Sequence, residues 1–473
     1  MPSVPGPVLV VGATGFLGRR VVRQLRALHV PVTVAVRDPA RAGFGPHVEV
    51  VRWDGTGPLE WQGKPRAVVN LAGAPIAGKR WSAAYKREME DSRLGTMGRV
   101  VDWIRSSGAP VETLVAASAV GYYGERVDTP VTEDSPAGTD YLARLCADWE
   151  AAASRAESSG VRVVSLRFGV LLGPEGGALT RLEPIYRLGA GGPILPGRQP
   201  FAWMHVKDAA RAVLFALATP ALRGPVNAVA PELATYRDFS RALAKALRRP
   251  NLAFVPPLAL RIAFGEAAGV LTGGQAVVPK RLQAAGFTWL HPHLAPALVD
   301  VYTNPESPRP VVNVREGTLD HAFTLDASPE EVWAFFSDPR NLSLLTPEAM
   351  GFDVGAVPET AGKGTRLDHT LKLGPFRTRW RSHLSEWQPP THFQDTQEKG
   401  PYRWWVHDHH FEPAPVGTRN RDHVAFRLPL GFLGRLGGGA YVRWNLDRVF
   451  AYRYAALERR FGLIEDPALS ALA

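Results

Sequence analysis

Three glycines at three-residue intervals, Gly12, Gly15 and Gly18, follow the apolar run Val8–Val11 and lead into Val21, Val22 and Leu25 at helical spacing. Glycines so placed serve one kind of chemistry, the close approach of backbone N–H groups to a phosphorylated ligand. The first permits a tight turn, the second lets the main chain reach a pyrophosphate with no Cβ in the way, and the third lets helix pack closely on strand. Arg37 closes a second β-rich run, Pro31–Val36, 19 positions after Gly18. A carboxylate at such a strand end hydrogen-bonds the 2′-hydroxyl of NAD, whereas a guanidinium pairs with the 2′-phosphate of NADP. Arg37 therefore points to NADP rather than NAD, with the acidic Asp38 beside it as a competing signal.

Ser118, Tyr122 and Tyr123 close another β-rich run, Thr113–Ser118. Open parallel sheets bind ligands at the carboxyl ends of their strands. There a serine can hydrogen-bond a substrate carbonyl and a tyrosine can donate a proton, so these three are the candidate catalytic residues.

The elements that must position them alternate. Strand-like runs at Val48–Val51, Ala67–Asn70 and Val161–Leu166 are separated by helical segments, including one from Tyr141 to Ser158. This pattern specifies an α/β fold, a doubly wound Rossmann-type parallel sheet. The Gly- and Pro-rich stretch Glu175–Pro200 reads as a substrate-side loop region. Val226–Ala230, a helix over Tyr236–Leu247, and Ala253–Pro257 with the helix after it read as a small substrate lobe.

A chain of 473 residues holds more than one domain. Three prolines within Thr303–Pro310 mark the boundary, placing a linker at 303–315 between a first domain, 1–302, and a second, 316–463. In the second, Ser328, Pro329, Glu330 and Glu331 form a helix start. Strand-like stretches follow at Gly364–Leu373, Phe376–Trp387, His392–Lys399, Trp404–Phe411 and Arg419–Arg427, and then a terminal helix from Ala440 to Phe461. His407, His409 and His410 raise the question of a metal. Alternation puts the first two on one face and the third on the other. No cysteine or acidic cluster adjoins them in the sequence, so no metal is expected.

A net charge of +10 comes mostly from scattered arginines with no run of five or six, which describes a basic surface and excludes a nucleic-acid partner as the expectation. One cysteine, Cys146, rules out an internal disulfide and fits a reducing, cytoplasmic setting. The amino-terminal apolar run is only a strand long, so neither a signal peptide nor a membrane span is expected.

These residues carry two resemblances. The first domain resembles the extended short-chain dehydrogenase/reductase superfamily, and within it the atypical epimerase-family members with a carboxyl-terminal extension, here about 250–302. The matching segments are Gly12–Gly18, Asn70–Gly73, Arg80-Trp81 with Asp91-Ser92-Arg93, Ser118–Gly124, Arg167–Pro174, Leu188–Pro193 and Trp203–Asp208. Gly273–Gln275 and Pro279–Phe287 match the extension. The resemblance implies NADP held by Thr14, Gly15, Phe16, Leu17, Arg37, Leu71, Ala72, Glu88 and Arg93, within turns framed by Gly12, Gly18 and Gly73. It implies a small-molecule substrate, with His205 and Asp208 either closing the substrate side or forming a structural pair. Working members use a Tyr-x-x-x-Lys pair, in which the lysine lowers the phenol's pKa. Here Leu142 and Cys146 stand at those positions, and Tyr141 is one residue out of register. The second domain resembles the SRPBCC, or START/Bet v 1-like, superfamily, an α+β helix-grip fold around a cavity for an apolar or aromatic ligand. Two functions follow: an NADP-dependent oxidoreductase or epimerase, or an NADP- and ligand-binding sensor without turnover.

Overall fold

The computed structural model describes residues 4–76, 79–253, 265–354, 358, 360–373, 376–429 and 431–465. They divide into two compact units, one drawn from Met1–Ala42 and Val48–Tyr302, the other from Gly43–His47 and Thr303–Pro467.

In the first unit the strand Val8–Val11 is buried along its whole length. Its β-branched side chains suit a position covered on both faces. It pairs in parallel with Val32–Val36 on one side and Ala67–Asn70 on the other. Among the described residues the sheet has seven parallel strands, in the order 224–228, 162–168, 113–119, 67–70, 8–11, 32–36, 49–52. The order reverses between Val8–Val11 and Ala67–Asn70, and such a reversal opens a crevice beyond the strand ends. Leu9, Val68, Leu114 and Val163 share a core with Met97, Val101 and Trp149 of the covering helices Thr96–Ser106 and Tyr141–Ser154. A second core, with Tyr186, Phe201, Trp203, Phe239 and Leu298, builds the small lobe.

Three local expectations change. Val226–Ala230, expected in the small lobe, instead contributes to Gly224–Ala228, an edge strand of the parallel sheet paired with Arg162–Phe168. The stretch expected as loop, Glu175–Pro200, contains the helix Leu179–Arg187, with Pro184 inside it. Burial of Leu179 and Tyr186 in the small-lobe core outweighs the local breakers. The helix expected to run to Ser158 ends at Ser154, and a tighter turn over Arg155–Ser159 carries the chain to Gly160. The segment Ala253–Pro257 and the helix after it lie almost wholly outside the described residues.

The second unit is one antiparallel sheet, in the order 311–313, 318–325, 418–427, 404–413, 392–399, 376–388, 366–373, 353–354, with 463–464 paired to 318–325. The helix Pro329–Phe336 starts with a reciprocal cap, in which Ser328 and Glu331 each accept the other's backbone N–H. The long helix Gly431–Phe461 begins nine residues before the expected Ala440. The glycines that hide its start in the sequence include Gly439, where a Cβ would stand 3.2 Å from Val314. Leu446, Phe450, Tyr454, Leu457 and Phe461 of this helix sit in the unit's two cores.

Candidate functional site

At the sheet's reversal point Gly12 has φ +80°, and a Cβ there would lie 2.7 Å from the backbone N of Ala72. A Cβ on Gly18 would lie 2.2 Å from the Gly12 carbonyl oxygen. Both glycines are therefore demanded by the fold itself. Gly15 differs, since a Cβ there would meet only the Gly12 oxygen, at 3.2 Å. Gly15 and Thr14 are exposed, and Gly15 caps the helix Phe16–Ala27, which has no acid in its first turn. Its first N–H groups have no carbonyl within the helix to bond, so they favour an anion. Leu17 and Gly18 are buried on the other side of this turn, while the Phe16 ring packs beneath Gly173, Gly176 and Gly177.

Arg37 is exposed just beyond the strand Val32–Val36 and makes no ion pair among the described residues. Asp38, the competing signal, is otherwise engaged. It accepts the Ala40 N–H at 3.1 Å as a turn cap and lies 3.5 Å from Arg41.

The second wall of the crevice is Leu71–Gly73, with Gly73 exposed. Leu71 donates its N–H to the Val11 carbonyl at 2.9 Å, and Ala72 donates to the Asn70 side chain at 3.1 Å. Asp91-Ser92-Arg93 lies in a widened π-helical turn, Asp91–Gly95, a form frequent at functional sites. Ser92 accepts from the Ala74 N–H and Arg93 donates to the Ala74 carbonyl, each at 2.9 Å. Arg93 is buried, 5.2 Å from the Trp149 ring, and burial lowers its pKa. Glu88 is exposed and pairs with Lys79 at 3.4 Å.

The three candidate catalytic residues meet a network invisible in local sequence. Ser118 donates to Glu150 at 2.6 Å, and Glu150 holds Arg167 through two bonds of 2.7 Å. Arg167 donates to the Tyr123 hydroxyl at 2.9 Å, which donates in turn to Asn227 at 2.6 Å. Burial works against the Arg167 charge, yet the Glu150 carboxylate raises its pKa above the ordinary value. Tyr123 is fully buried, and burial raises its phenol pKa. Tyr122 lies half-buried, its ring 3.4 Å from the Arg167 guanidinium carbon, and its hydroxyl makes no hydrogen bond among the described residues.

Leu142 and Cys146 face Gly121, at 3.3 Å and 3.9 Å from where its Cβ would be. The helix face that would carry the tyrosine and lysine is thus apolar where it meets Gly121. Burial, then the Glu150 charge, pushes the Cys146 thiol up to about 12. Tyr141 turns toward the helix Ala83–Glu90 and donates to the Lys86 carbonyl at 3.2 Å. His205 is buried, and Asp208 accepts the backbone N–H groups of Leu290 and His291, both at 2.8 Å. Asp208 thus fastens the extension to the helix Val206–Ala218.

The second unit encloses a cavity of about 1280 Å³ of empty volume, the solvent at its mouth included. Its wall is largely apolar, with Leu371, Trp380, Leu384, Trp405 and Phe450 among the lining residues. Polar side chains interrupt it, and among them Asp395, His407, His409 and Arg453 form a charged cluster. Strand register assembles it, since Asp395 stands opposite His407 and Asp422 opposite His409. Asp395 Oδ2 lies 3.5 Å from His407 Nδ1 and 3.3 Å from His409 Nε2. Asp422 Oδ1 lies 3.0 Å from His407 Nε2 and 2.9 Å from His409 Nδ1. Burial, with the His409 charge, lowers the His407 pKa to about 4. Burial also opposes charge on His409, but the two carboxylates raise its pKa. His410 takes the opposite face, stacked on His392 at 4.4 Å, as strand alternation requires. The acid between these histidines in the sequence, Asp408, points to the opposite face with His410 and His392, and the two acids that meet His407 and His409 come from neighbouring strands.

The sheet order, the glycine crevice and the guanidinium beyond the second strand define a dinucleotide-binding protein of the short-chain dehydrogenase/reductase type, joined to a helix-grip unit. Residues 8–228 match the NAD dependent epimerase/dehydratase family, 255–301 a domain of unknown function termed DUF1731, and 316–462 the polyketide cyclase/dehydrase and lipid transport family. Epimerase family protein Mb2239 of Mycobacterium bovis is 39% identical over 307 residues, 63% of this chain and 98% of that protein. A chloroplastic homolog of epimerase family protein SDR39U1 from Arabidopsis thaliana is 40% identical over 298 residues, 62% of this chain and 85% of that protein. The crystal structure of human SDR39U1 (isoform 2) with NADPH superposes with a TM-score of 0.58 at 35% identity, covering 63% of this chain and 99% of that one. The chain belongs to this epimerase family and carries an SRPBCC domain after it. Among the described residues no helix is long and apolar enough to cross a membrane.

Proposed function

We propose that the first unit binds NADP(H), with the turn at Thr14–Gly15 and the helix start at Phe16 on the pyrophosphate and Arg37 on the 2′-phosphate. One observation carries this reading. Gly15 is the glycine of the three whose missing side chain leaves room for a ligand rather than for the protein's own backbone. The free guanidinium of Arg37 supports the phosphorylated nucleotide, and so does the NADPH in the human relative's crystal structure. Leu71–Gly73, held by Asn70, Ser92 and Arg93, would line the other side, and Glu88 would contribute at most through its exposed pair with Lys79.

Such a nucleotide supplies a hydride when bound, and the chain's own residues must handle the proton. Ser118 and Tyr123 serve the fold rather than proton transfer, because their hydroxyls are committed to Glu150 and Asn227. Tyr122 is the proton donor that an oxidoreductase or epimerase reaction on a small-molecule substrate would use. The apolar Leu142 and Cys146 against Gly121 favour a second reading, NADP(H) held without turnover. The helix-grip unit takes an apolar or aromatic ligand, and the lone buried cysteine fits a reducing compartment such as the cytoplasm.

Calorimetry on the full chain tests the binding. NADPH binds and NADH binds more weakly, Arg37→Ala removes that preference, and Gly15→Val weakens NADPH about a hundredfold, or about 2.7 kcal/mol. Equal affinity for NADPH in Gly15→Val would remove the proposal. NADPH oxidation that Tyr122→Phe abolishes would select the enzyme over the sensor.

A further inference from the structure

Three clusters among the described residues bring His and Asp side chains close enough to share an ion: His205, His291 and Asp300; His392, Asp408 and His410; and Asp395, His407 and His409. In the first, the Lys207 ammonium already lies 3.3 Å from Asp300 and supplies the positive charge. The second lies on the sheet's outer face, where two imidazoles stack beside one carboxylate. The third opens onto the cavity.

We propose that Asp395, His407 and His409 bind a divalent first-row transition-metal ion on the wall of the helix-grip cavity, with its open coordination positions turned toward the cavity ligand. The spacing fits. Ligands about 2.1 Å from an ion stand about 3.0 Å apart in an octahedral arrangement and about 3.4 Å apart in a tetrahedral one. Asp395 Oδ2 stands 3.5 Å and 3.3 Å from one nitrogen of each imidazole. The other nitrogen of each imidazole faces Asp422 Oδ1, at 3.0 Å and 2.9 Å. A carboxylate hydrogen-bonded behind an imidazole, as Asp422 is behind His407, fixes ring orientation and raises ligand basicity, as in most metal-binding histidines. Asp422 is held in turn by Asn420, which donates to its second oxygen at 2.9 Å.

The charges accommodate such an ion. Two carboxylates, Asp395 and Asp422, face one guanidinium, Arg453, 3.6 Å from Asp422. With an ion bound both imidazoles are neutral, and the two carboxylates and the guanidinium leave one negative charge; the proton that the carboxylates favour on His409 without an ion is displaced. A divalent ion overshoots by one, which a single anionic oxygen from the cavity ligand would balance. Arg453 is mostly buried, lines the cavity, and has its Nε and Nη1 without hydrogen-bond partners among the described residues. It is placed to meet that same oxygen-bearing end. A ligand set of two imidazoles and a carboxylate, with no thiolate, suits zinc, cobalt(II) or iron(II) rather than calcium or magnesium.

The test uses the full chain, dialysed against a chelator and titrated with cobalt(II), with visible d–d absorption and total metal content as readouts. The expected result is about one ion per chain. His407→Gln and the near-isosteric Asp395→Asn should abolish the absorption, and Asp422→Asn should weaken binding about 10- to 100-fold. His392→Gln and His291→Gln, one from each of the other clusters, should leave it unchanged, and thermal melts confirm folding of every variant. Failure of the wild-type chain to take up a stoichiometric ion overturns the proposal. So does uptake that survives Asp395→Asn in a folded variant, or that His392→Gln or His291→Gln removes.

Discussion

Two buried charge networks, one in each unit, are arranged to opposite ends. In the first, every charged atom of Glu150 and Arg167 has a partner, and the hydroxyls of Ser118 and Tyr123 complete the set. In the second, Asp395, His407, His409 and Arg453 meet along a cavity wall, and Arg453 keeps unpartnered nitrogens. A closed network of buried polar groups specifies a fold, since low local dielectric strengthens each bond and leaves nothing to offer a ligand. An open one costs stability unless something else completes it. The difference separates a set of buried polar groups matched to one another from a set that still presents polar atoms to a cavity.

The comparison breaks most readily at Glu150. Glu150→Ala leaves the Arg167 guanidinium, 2% exposed, without its carboxylate. The expected cost is about 3–5 kcal/mol, read from urea unfolding of the full chain followed by first-unit probes. A loss below about 1 kcal/mol would show that Arg167 is not committed to the fold.

Acid acts on the second unit. Burial lowers the pKa of both His321 and His369 to about 4. Each is neutral when folded, so between the ordinary value of 6.5 and about 4 the unfolded chain binds protons that the folded chain refuses. Stability from these groups is present above 6.5 and is lost progressively as pH falls toward 4. Urea midpoints for the second unit should drop by the equivalent of a few kcal/mol across that window. His321→Gln, which keeps a donor for the Ser307 carbonyl, should flatten the slope.

Two smaller effects sharpen the contrast at its edges. Glu88→Gln breaks an exposed pair and should change stability by less than about 1 kcal/mol. If Glu88 instead contacts the nucleotide, NADPH affinity falls severalfold in the same variant, and calorimetry distinguishes the two. Cys146, with its thiol pushed up to about 12, should resist iodoacetamide in the folded chain at pH 8 and react only after denaturation. Mass spectrometry of labelled protein reads this directly.

Much of the architecture was legible without coordinates. Val8–Val11, the glycine spacing and the alternation of strand and helix lead to the doubly wound sheet, because each depends on neighbours within a few residues. The cap at Ser328 was equally local. The helix Leu179–Arg187 was not, because its reason lies in a core built from Phe201, Phe239 and Leu298, far along the chain. The early start of Gly431–Phe461 was hidden by glycines whose low helix propensity is outweighed by tertiary packing. At the nucleotide crevice the turn residues were legible, but the grip of Ser92 and Arg93 on Ala74 depends on a π-helical turn that no spacing rule announces.

Sequence alone determined which backbone turns can approach a phosphate, which strand end carries the guanidinium, and that the usual tyrosine and lysine are missing. Those facts are local, written in glycines and in single positions along one helix. Tertiary structure alone decided that Ser118 and Tyr123 belong to a closed network and that His407 and His409 meet two carboxylates. The physical reason is register: Asp395 and Asp422 reach those histidines across neighbouring strands, and pairing between strands is set by the whole sheet rather than by any one of them.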